Sequence, residues 1–175
     1  MASNIWRASV FPVTVSEMFE SANLLPSGPV QWMTAIRESS KGVYVIARTS
    51  EPHLGCTSCA LPLCDPLPVG LKIDSDYENE RWLPDEPIVY VGKSDQPISR
   101  RINQFYQHQC GNRSPHAGGQ IILLLRCQLW LYWSGSPHPP TSERKMLSAF
   151  KSVAGQPPFA NFDGKRRPRR IGRLP

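Results

Sequence analysis

The sequence predicts an α+β domain, in which a small and mainly antiparallel sheet is flanked by helices. Two β-branched runs, at residues 43–47 and 88–92, have the length and composition of buried strands. Apolar residues recur at helical spacing after the second run and again near residue 146. A chain of 175 residues is long enough for one such core with some additional loops and terminal segments.

The chain divides into a lead-in, a main domain and a tail. Residues 1–39 are the expected lead-in, with a short helix over residues 15–23 whose N-cap is expected at Ser16. The main domain is expected to cover residues 40–162 and to be followed by a basic tail at 163–175. The two strands therefore belong to the same domain.

Between the two strands, residues 50–86 contain many prolines and no hydrophobic periodicity, which is typical of an insertion or a functional loop. The insertion carries four possible zinc ligands, which are His53, Cys56, Cys59 and Cys64. One Cys-x-x-Cys pair is half of a zinc site. The other two ligands would have to come from the same short stretch, so the crowding argues against zinc and favours a loop with free thiols.

The second half of the main domain is expected to contain two helices and two more strands. The first helix spans residues 97–108, and its apolar face is formed by Ile98, Ile102 and Phe105. Strands are expected at residues 120–126 and 129–133. A proline-rich turn at residues 136–140 then leads into the last helix, which Gly155 ends. The apolar positions of that helix are Met146, Leu147 and Phe150.

The formal net charge of +6 is concentrated in the tail. Six cations lie in the last eleven residues, 165–175, which contain no acid: Lys165, Arg166, Arg167, Arg169, Arg170 and Arg173. Such an arm suits a phosphate-rich partner such as DNA, although a solvated tail has the same composition.

Hydropathy and cysteine content favour a cytoplasmic protein. No apolar run approaches the roughly 18 residues of a membrane span, and the first residues lack the pattern of a secretory signal, so no membrane partner is expected. Five cysteines is an odd number, which fits a reducing compartment. Cys110 and Cys127 are expected to be small buried thiols.

Four polar residues occupy positions where the pattern predicts a core. Tyr44 and Tyr90 lie inside apolar strands, Arg101 precedes an apolar helix position, and Glu143 is expected in the first turn of its helix. Taken alone, each has an ordinary structural explanation. Together they match the needs of phosphodiester hydrolysis: a held water, a proton acceptor, a cation for the developing charge and a carboxylate for a metal.

Five pieces of the sequence, in this order, resemble the GIY-YIG nuclease family. The first two, which resemble the halves of its signature, are Gly42-Val43-Tyr44 and Val89-Tyr90-Val91-Gly92-Lys93-Ser94. Residues 98–102 resemble its Leu-x-x-Arg-Leu helix, and residues 114–120 resemble a segment of small bacterial members. Residues 143–147, followed by 157–161, resemble its closing Glu-x-x-Leu and Pro-x-x-Asn motifs.

The resemblance implies an endonuclease that hydrolyses DNA phosphodiester bonds with Mg²⁺ or Mn²⁺, in restriction or repair. It implies that Tyr44 orients or deprotonates the attacking water, and that Tyr90 holds this water or the phosphate. Arg101 would neutralise the charge of the transition state. Glu143 would bind the metal, and Asn161 would brace the site.

Three further residues are candidate contacts of the nucleic acid. Lys93 is a phosphate contact or a rival base, and His116 is a phosphate or water contact. Arg100 competes with Arg101, because the arginine motif occurs one residue later than usual after the second glycine. Arg101 is preferred, since it is followed by an apolar residue as the motif requires.

The alternative to an enzyme is a catalytically inactive nucleic-acid-binding module on the same fold. In that case Glu143 would not lie close to Tyr44 and Arg101 in the folded structure. With no second domain to choose the target, specificity would come from the insertion, the termini, a homodimer or a partner protein.

Overall fold

The computed structural model of the protein describes residues 13–54, 81–107, 121–122 and 125–161. These residues form a four-stranded antiparallel sheet with three helices, which confirms the α+β class. In chain order the elements are α1 (Val15–Glu20), β1 (Ser27–Gln31), β2 (Gly42–Ala47), β3 (Ile88–Ser94), α2 (Ile98–Tyr106), β4 (Trp130–Gly135) and α3 (Pro139–Ala154). The strand order is β1-β4-β2-β3, so β3 is an outer strand. Within the described ranges, no helix combines the length and the apolarity that a bilayer crossing requires.

β2 is the central strand of the sheet, and all six of its residues are buried. It pairs with β3 on one side and with β4 on the other. Tyr44 lies opposite Gly92 of β3 and Trp133 of β4, and Ile46 lies opposite Tyr90. Because side chains alternate along a strand, Tyr44, Ile46 and Tyr90 share one face of the sheet.

Helices cover both faces of the sheet, as the sequence predicts. On the face of Tyr44, α2 buries its apolar positions Ile98, Ile102 and Phe105. The opposite face presents Val43, Val45, Val91 and Tyr132, against which α1 and α3 pack. Those two helices contribute Met18, Phe19, Met146 and Phe150. Since α1 and β1 belong to this core and sheet, part of the expected lead-in is integral to the fold.

The helix ends follow local capping chemistry. Thr14 caps α1: its side chain accepts from the backbone N–H of Glu17, whose carboxylate accepts in return from the Thr14 N–H. The expected cap at Ser16 is wrong, because Ser16 is already inside the helix and buried. Gly155 ends α3 in the left-handed conformation with φ of 77°, as predicted.

The sequence placed Glu143 too close to the start of its helix. Pro139 and Pro140, expected in a turn, form the first positions of α3, where proline's missing N–H costs nothing. Glu143 therefore lies beyond the first turn. The argument from the helix dipole does not apply to it, because that effect fades after one turn.

Two strand assignments differ from the sequence prediction. The expected strand at residues 120–126 is wrong at Ile121 and Ile122, which form a helical turn buried against the α2 side of the core. A short apolar run has the same composition in either structure, so periodicity does not separate them. β1 was not foreseen, because it contains Gly28 and Pro29 and exposes most of its residues at the sheet edge.

Candidate functional site

One cleft contains four of the residues that the sequence singled out, Tyr90, Lys93, Arg101 and Glu143. It lies at the edge formed by β3, where that strand turns into α2, and its volume is about 490 Å³. Seven of the residues that the structure describes line it: Tyr90, Lys93, Ser94, Asp95, Gln96, Arg101 and Glu143. Two of these side chains are cations and two are carboxylates, so the formal charges of these seven residues balance.

The two tyrosines are neighbours, but only one reaches the cleft. Their ring centroids are 6.0 Å apart on the same face of the sheet. Tyr90 is half-buried and lines the cleft, whereas Tyr44 has no exposed surface. Among the described residues, the Tyr44 hydroxyl has no hydrogen bond of good geometry, but the side chains of Tyr90 and Arg101 lie close enough to affect its pKa. A substrate therefore does not touch Tyr44 unless the site rearranges.

Gly92 is what leaves room for the Tyr44 ring. A Cβ atom at Gly92 would lie 2.5 Å from Cζ of Tyr44 and 2.6 Å from its hydroxyl oxygen. It would also lie 2.7 Å from Cε1 of Tyr90. Side chains do not tolerate contacts this short, so any larger residue at Gly92 would displace both tyrosines.

Both tyrosine hydroxyls are held in the protonated form. Burial raises the pKa of Tyr44 well above its usual 10.0, nearby Tyr90 raises it further, and Arg101 opposes the rise. Burial also raises the pKa of Tyr90, the charge of Glu143 adds to the rise, and Arg101 again opposes it. At neutral pH both hydroxyls are therefore protonated and are not phenolate bases.

α2 supplies the arginine of the cleft. Arg101 is half-buried and lines the cleft, next to Ile102, which is buried against the sheet. Arg100 is exposed and does not line it. Of the two arginines that the sequence left as rivals, the fold thus brings Arg101 to the tyrosines.

α3 supplies the carboxylate of the cleft from the other side of the sheet. The helix packs on the face opposite Tyr44, yet the half-buried Glu143 lines the same cleft as Tyr90. Burial raises the pKa of Glu143 above its usual 4.5, and the charge of Asp95 adds to that rise. Lys93 and Arg101 lower the same pKa, because each favours the ionised form.

Lys93 is paired within the cleft to a carboxylate that the sequence analysis did not consider. Its Nζ donates to Oδ2 of Asp95 at 2.9 Å. Asp95 lies in the turn between β3 and α2, which the buried Ser94 holds in shape. The Ser94 hydroxyl donates to the backbone oxygen of Gln96 at 2.6 Å and accepts from its N–H at 3.3 Å.

Asn161 lies beside the cleft and acts on the backbone of β3. Its Oδ1 accepts from the Val91 N–H at 2.8 Å, and its Nδ2 donates to the Val91 oxygen at 2.7 Å. The side-chain amide thus continues the strand pairing at the outer edge of β3, between Tyr90 and Gly92. The Arg81 guanidinium in turn donates to the backbone oxygen of Asn161.

The chain matches no known family model, no curated protein and no solved structure. The resemblance to GIY-YIG nucleases therefore rests on sequence motifs. The geometry of the cleft stands independently of it.

Several sequence-predicted residues lie outside the described part of the chain. These are Cys110, His116, three ligands of the possible zinc site (Cys56, Cys59 and Cys64) and the basic tail from Lys165 onward. The fourth possible ligand, His53, is exposed. The residues that the structure describes contain no group of three or more His, Cys, Asp or Glu side chains arranged for a metal. Cys127 is half-buried.

Two residues at the site were missed by the sequence analysis. Asp95 had a usable signal, because an acid directly after Lys93-Ser94, at the junction of a strand and a helix, is placed beside the strand end. Arg81 had none. Its contacts with Pro158 and Asn161 join segments that are distant in the chain, so only the folded structure reveals them.

Proposed function

We propose that this protein is a metal-dependent endonuclease that hydrolyses DNA phosphodiester bonds, with a site of the GIY-YIG type. One observation carries the proposal: a single cleft contains Tyr90, Lys93, Arg101 and Glu143, with Tyr44 packed beside Tyr90. The four lining residues come from three separate elements, and Tyr44 comes from a fourth. A purely structural protein has no need to bring such groups to one polar cleft.

Lys93 and Arg101 are suited to the phosphate. Cations at the reacting group stabilise the charge that develops on the phosphoryl oxygens in the transition state. Arg101 is the better placed, since it also lowers the pKa of Tyr44, Tyr90 and Glu143. It is therefore close to every group to which we assign chemistry.

The tyrosines are suited to holding a water molecule rather than to deprotonating it. The family resemblance implies either role for Tyr44. Its raised pKa and complete burial favour hydrogen bonding over phenolate chemistry. Tyr90, which lines the cleft, would contact the water or phosphate directly, and Tyr44 would position the Tyr90 ring from within the core.

Glu143 would hold the metal. Mg²⁺ binds through one or two carboxylates together with substrate phosphates, so one carboxylate in a cleft that also binds the phosphate can hold it. A bound Mg²⁺ or Mn²⁺ would stabilise the leaving oxygen. The raised pKa of Glu143 fits this role, because an under-solvated carboxylate gains from a divalent partner.

Plasmid cleavage tests the proposal. The full chain should convert supercoiled plasmid to nicked or linear DNA with Mg²⁺ or Mn²⁺, and not with EDTA. Glu143→Gln should cut roughly 10³-fold more slowly or worse, because a charge that holds the metal is removed. Glu20→Gln, at an exposed position of α1, makes the same charge change far from the cleft and should cut at the wild-type rate.

Binding to the same plasmid separates the two functions that the sequence left open. We expect Glu143→Gln to bind DNA about as well as the wild type, since its phosphate contacts are cationic. If the wild type binds DNA but never cleaves it with either metal, the catalytically inactive binding module is the correct function. If Glu143→Gln cleaves at the wild-type rate, the role of Glu143 is wrong.

A further inference from the structure

We propose that Asp95 is a specificity-determining residue of the cleft. Its carboxylate forms an ion pair with the Lys93 ammonium group until a DNA phosphate displaces it. This inference rests on the proposed function, because it assigns Lys93 to the phosphate. It adds that Asp95, a residue of the protein itself, competes with the phosphate for Lys93. Asp95 would therefore set how strongly the cleft binds anions.

The contact between the two side chains has the chemistry of a phosphate contact. Lys93 Nζ and Asp95 Oδ2 are 2.9 Å apart, and both residues line the cleft. A carboxylate oxygen and a phosphate oxygen are both anionic acceptors at this distance from an ammonium group. While Lys93 is paired with Asp95, part of its positive charge is neutralised. Lys93 then attracts a phosphate less strongly.

The pair is built so that Asp95 can leave while Lys93 stays. The side chain of Lys93 is 34% exposed and that of Asp95 is 64% exposed. The backbone of the turn is held by the buried Ser94 hydroxyl, which bonds Gln96 twice. Asp95 needs only a side-chain rotation into solvent, and exposed ion pairs of this kind are weak.

Displacement of Asp95 matters because it changes the charge balance of the cleft. Among the described lining residues, Lys93 and Arg101 are offset by Asp95 and Glu143, so these four side chains together present no net positive charge to an anion. Turning Asp95 outward frees one cation for the phosphate. A ligand that makes enough contacts in the cleft to displace Asp95 therefore binds in preference to a small anion that contacts only Lys93.

Anisotropy of a short fluorescent DNA duplex in EDTA, titrated with the full-length protein, tests this. Asp95→Asn should bind the duplex about two- to five-fold more tightly than the wild type, which is the range expected for removing an exposed ion-pair partner. In a Lys93→Gln background, Asp95→Asn should give no gain, because the partner is gone. Asp85→Asn is the matched control: Asp85 is exposed and outside the cleft, and the net charge changes equally.

Three results would overturn the inference. The first is a gain that persists without Lys93, which would mean general repulsion by Asp95. The second is an equal gain from Asp85→Asn, and the third is unchanged or weaker binding by a folded Asp95→Asn protein. Plasmid cleavage by the wild type is measured separately, so it can support the proposed function even where this inference fails.

Discussion

The hydroxyl of Tyr44 is a polar group buried at the centre of the sheet without a good partner among the described residues. Tyr132 on β4 offers a direct comparison. It is equally buried, but its hydroxyl donates to the Thr49 backbone oxygen at 3.0 Å. A buried hydroxyl whose hydrogen bonds are poorly aligned contributes little to stability, so a chain that retains one has a reason other than stability. We infer that this reason is the neighbouring cleft.

The two tyrosines therefore predict opposite effects of the same change. Tyr44→Phe should leave the free energy of unfolding unchanged or raise it by about 1 kcal/mol, yet slow plasmid cleavage. Tyr132→Phe should lower the free energy of unfolding by about 1 kcal/mol and leave cleavage unchanged. Urea denaturation and a plasmid assay measure both. A strongly destabilised Tyr44→Phe protein would show that the hydroxyl is satisfied in solution.

The raised pKa of Glu143 predicts how stability depends on pH. Since the folded pKa is above the usual 4.5, folding favours the protonated carboxyl. The stability from this group is present below 4.5 and is lost as pH rises through the folded pKa. Glu143→Gln should thus be more stable than wild type at pH 7, by a margin that shrinks toward pH 4.5. Urea titrations at both pH values check it, with Glu20→Gln as the charge control; lower stability of Glu143→Gln at pH 7 would contradict it.

At the scale of elements, β3 is an outer strand whose edge is completed by residues 160–161. The N–H of Ala160 donates to the Val89 oxygen at 2.9 Å, and the Asn161 side chain bonds both backbone groups of Val91. An outer strand otherwise leaves such groups unpaired. The segment after α3 therefore pairs with the outer edge of β3 on both sides of Tyr90.

Asn161→Ala should release this edge. Loss of two hydrogen bonds should lower the free energy of unfolding by about 1–3 kcal/mol and speed amide exchange at Val91. Cleavage should slow, because Tyr90 is less firmly placed. Asn103→Ala, at an exposed position of α2, is the control and should change none of these. Unchanged exchange at Val91 in Asn161→Ala would show that Asn161 does not hold the strand.

At the scale of the whole molecule, the positive charge and the cleft are separate in the sequence. The lining of the cleft is balanced, whereas six cations lie in the last eleven residues. Removing residues 165–175 should weaken DNA binding more at low salt than at high salt. It should also flatten the salt dependence, since each phosphate contact contributes about 0.9 to the slope of log K against log salt. Binding at several salt concentrations and a thermal melt measure this; an unchanged slope would show that the tail makes no contact.

Local chemistry made much of the fold predictable. The strands at 43–47 and 88–92 are confirmed because β-branched runs between turn residues have few other structures available. α2 and the end of α3 at Gly155 are confirmed for similarly local reasons. The strand expected at 120–126 is wrong because apolar residues alone do not choose between helix and strand.

By itself, the sequence determined the α+β class, the central strands and the candidate residues Tyr90, Lys93, Arg101 and Glu143. Tertiary structure alone decided that these four line one cleft. It also decided that Tyr44 is sealed from solvent and that Asp95 holds Lys93. The physical reason is that composition and periodicity act over a few neighbouring residues. Burial, charge pairing and pKa depend instead on which distant segments the packing brings together.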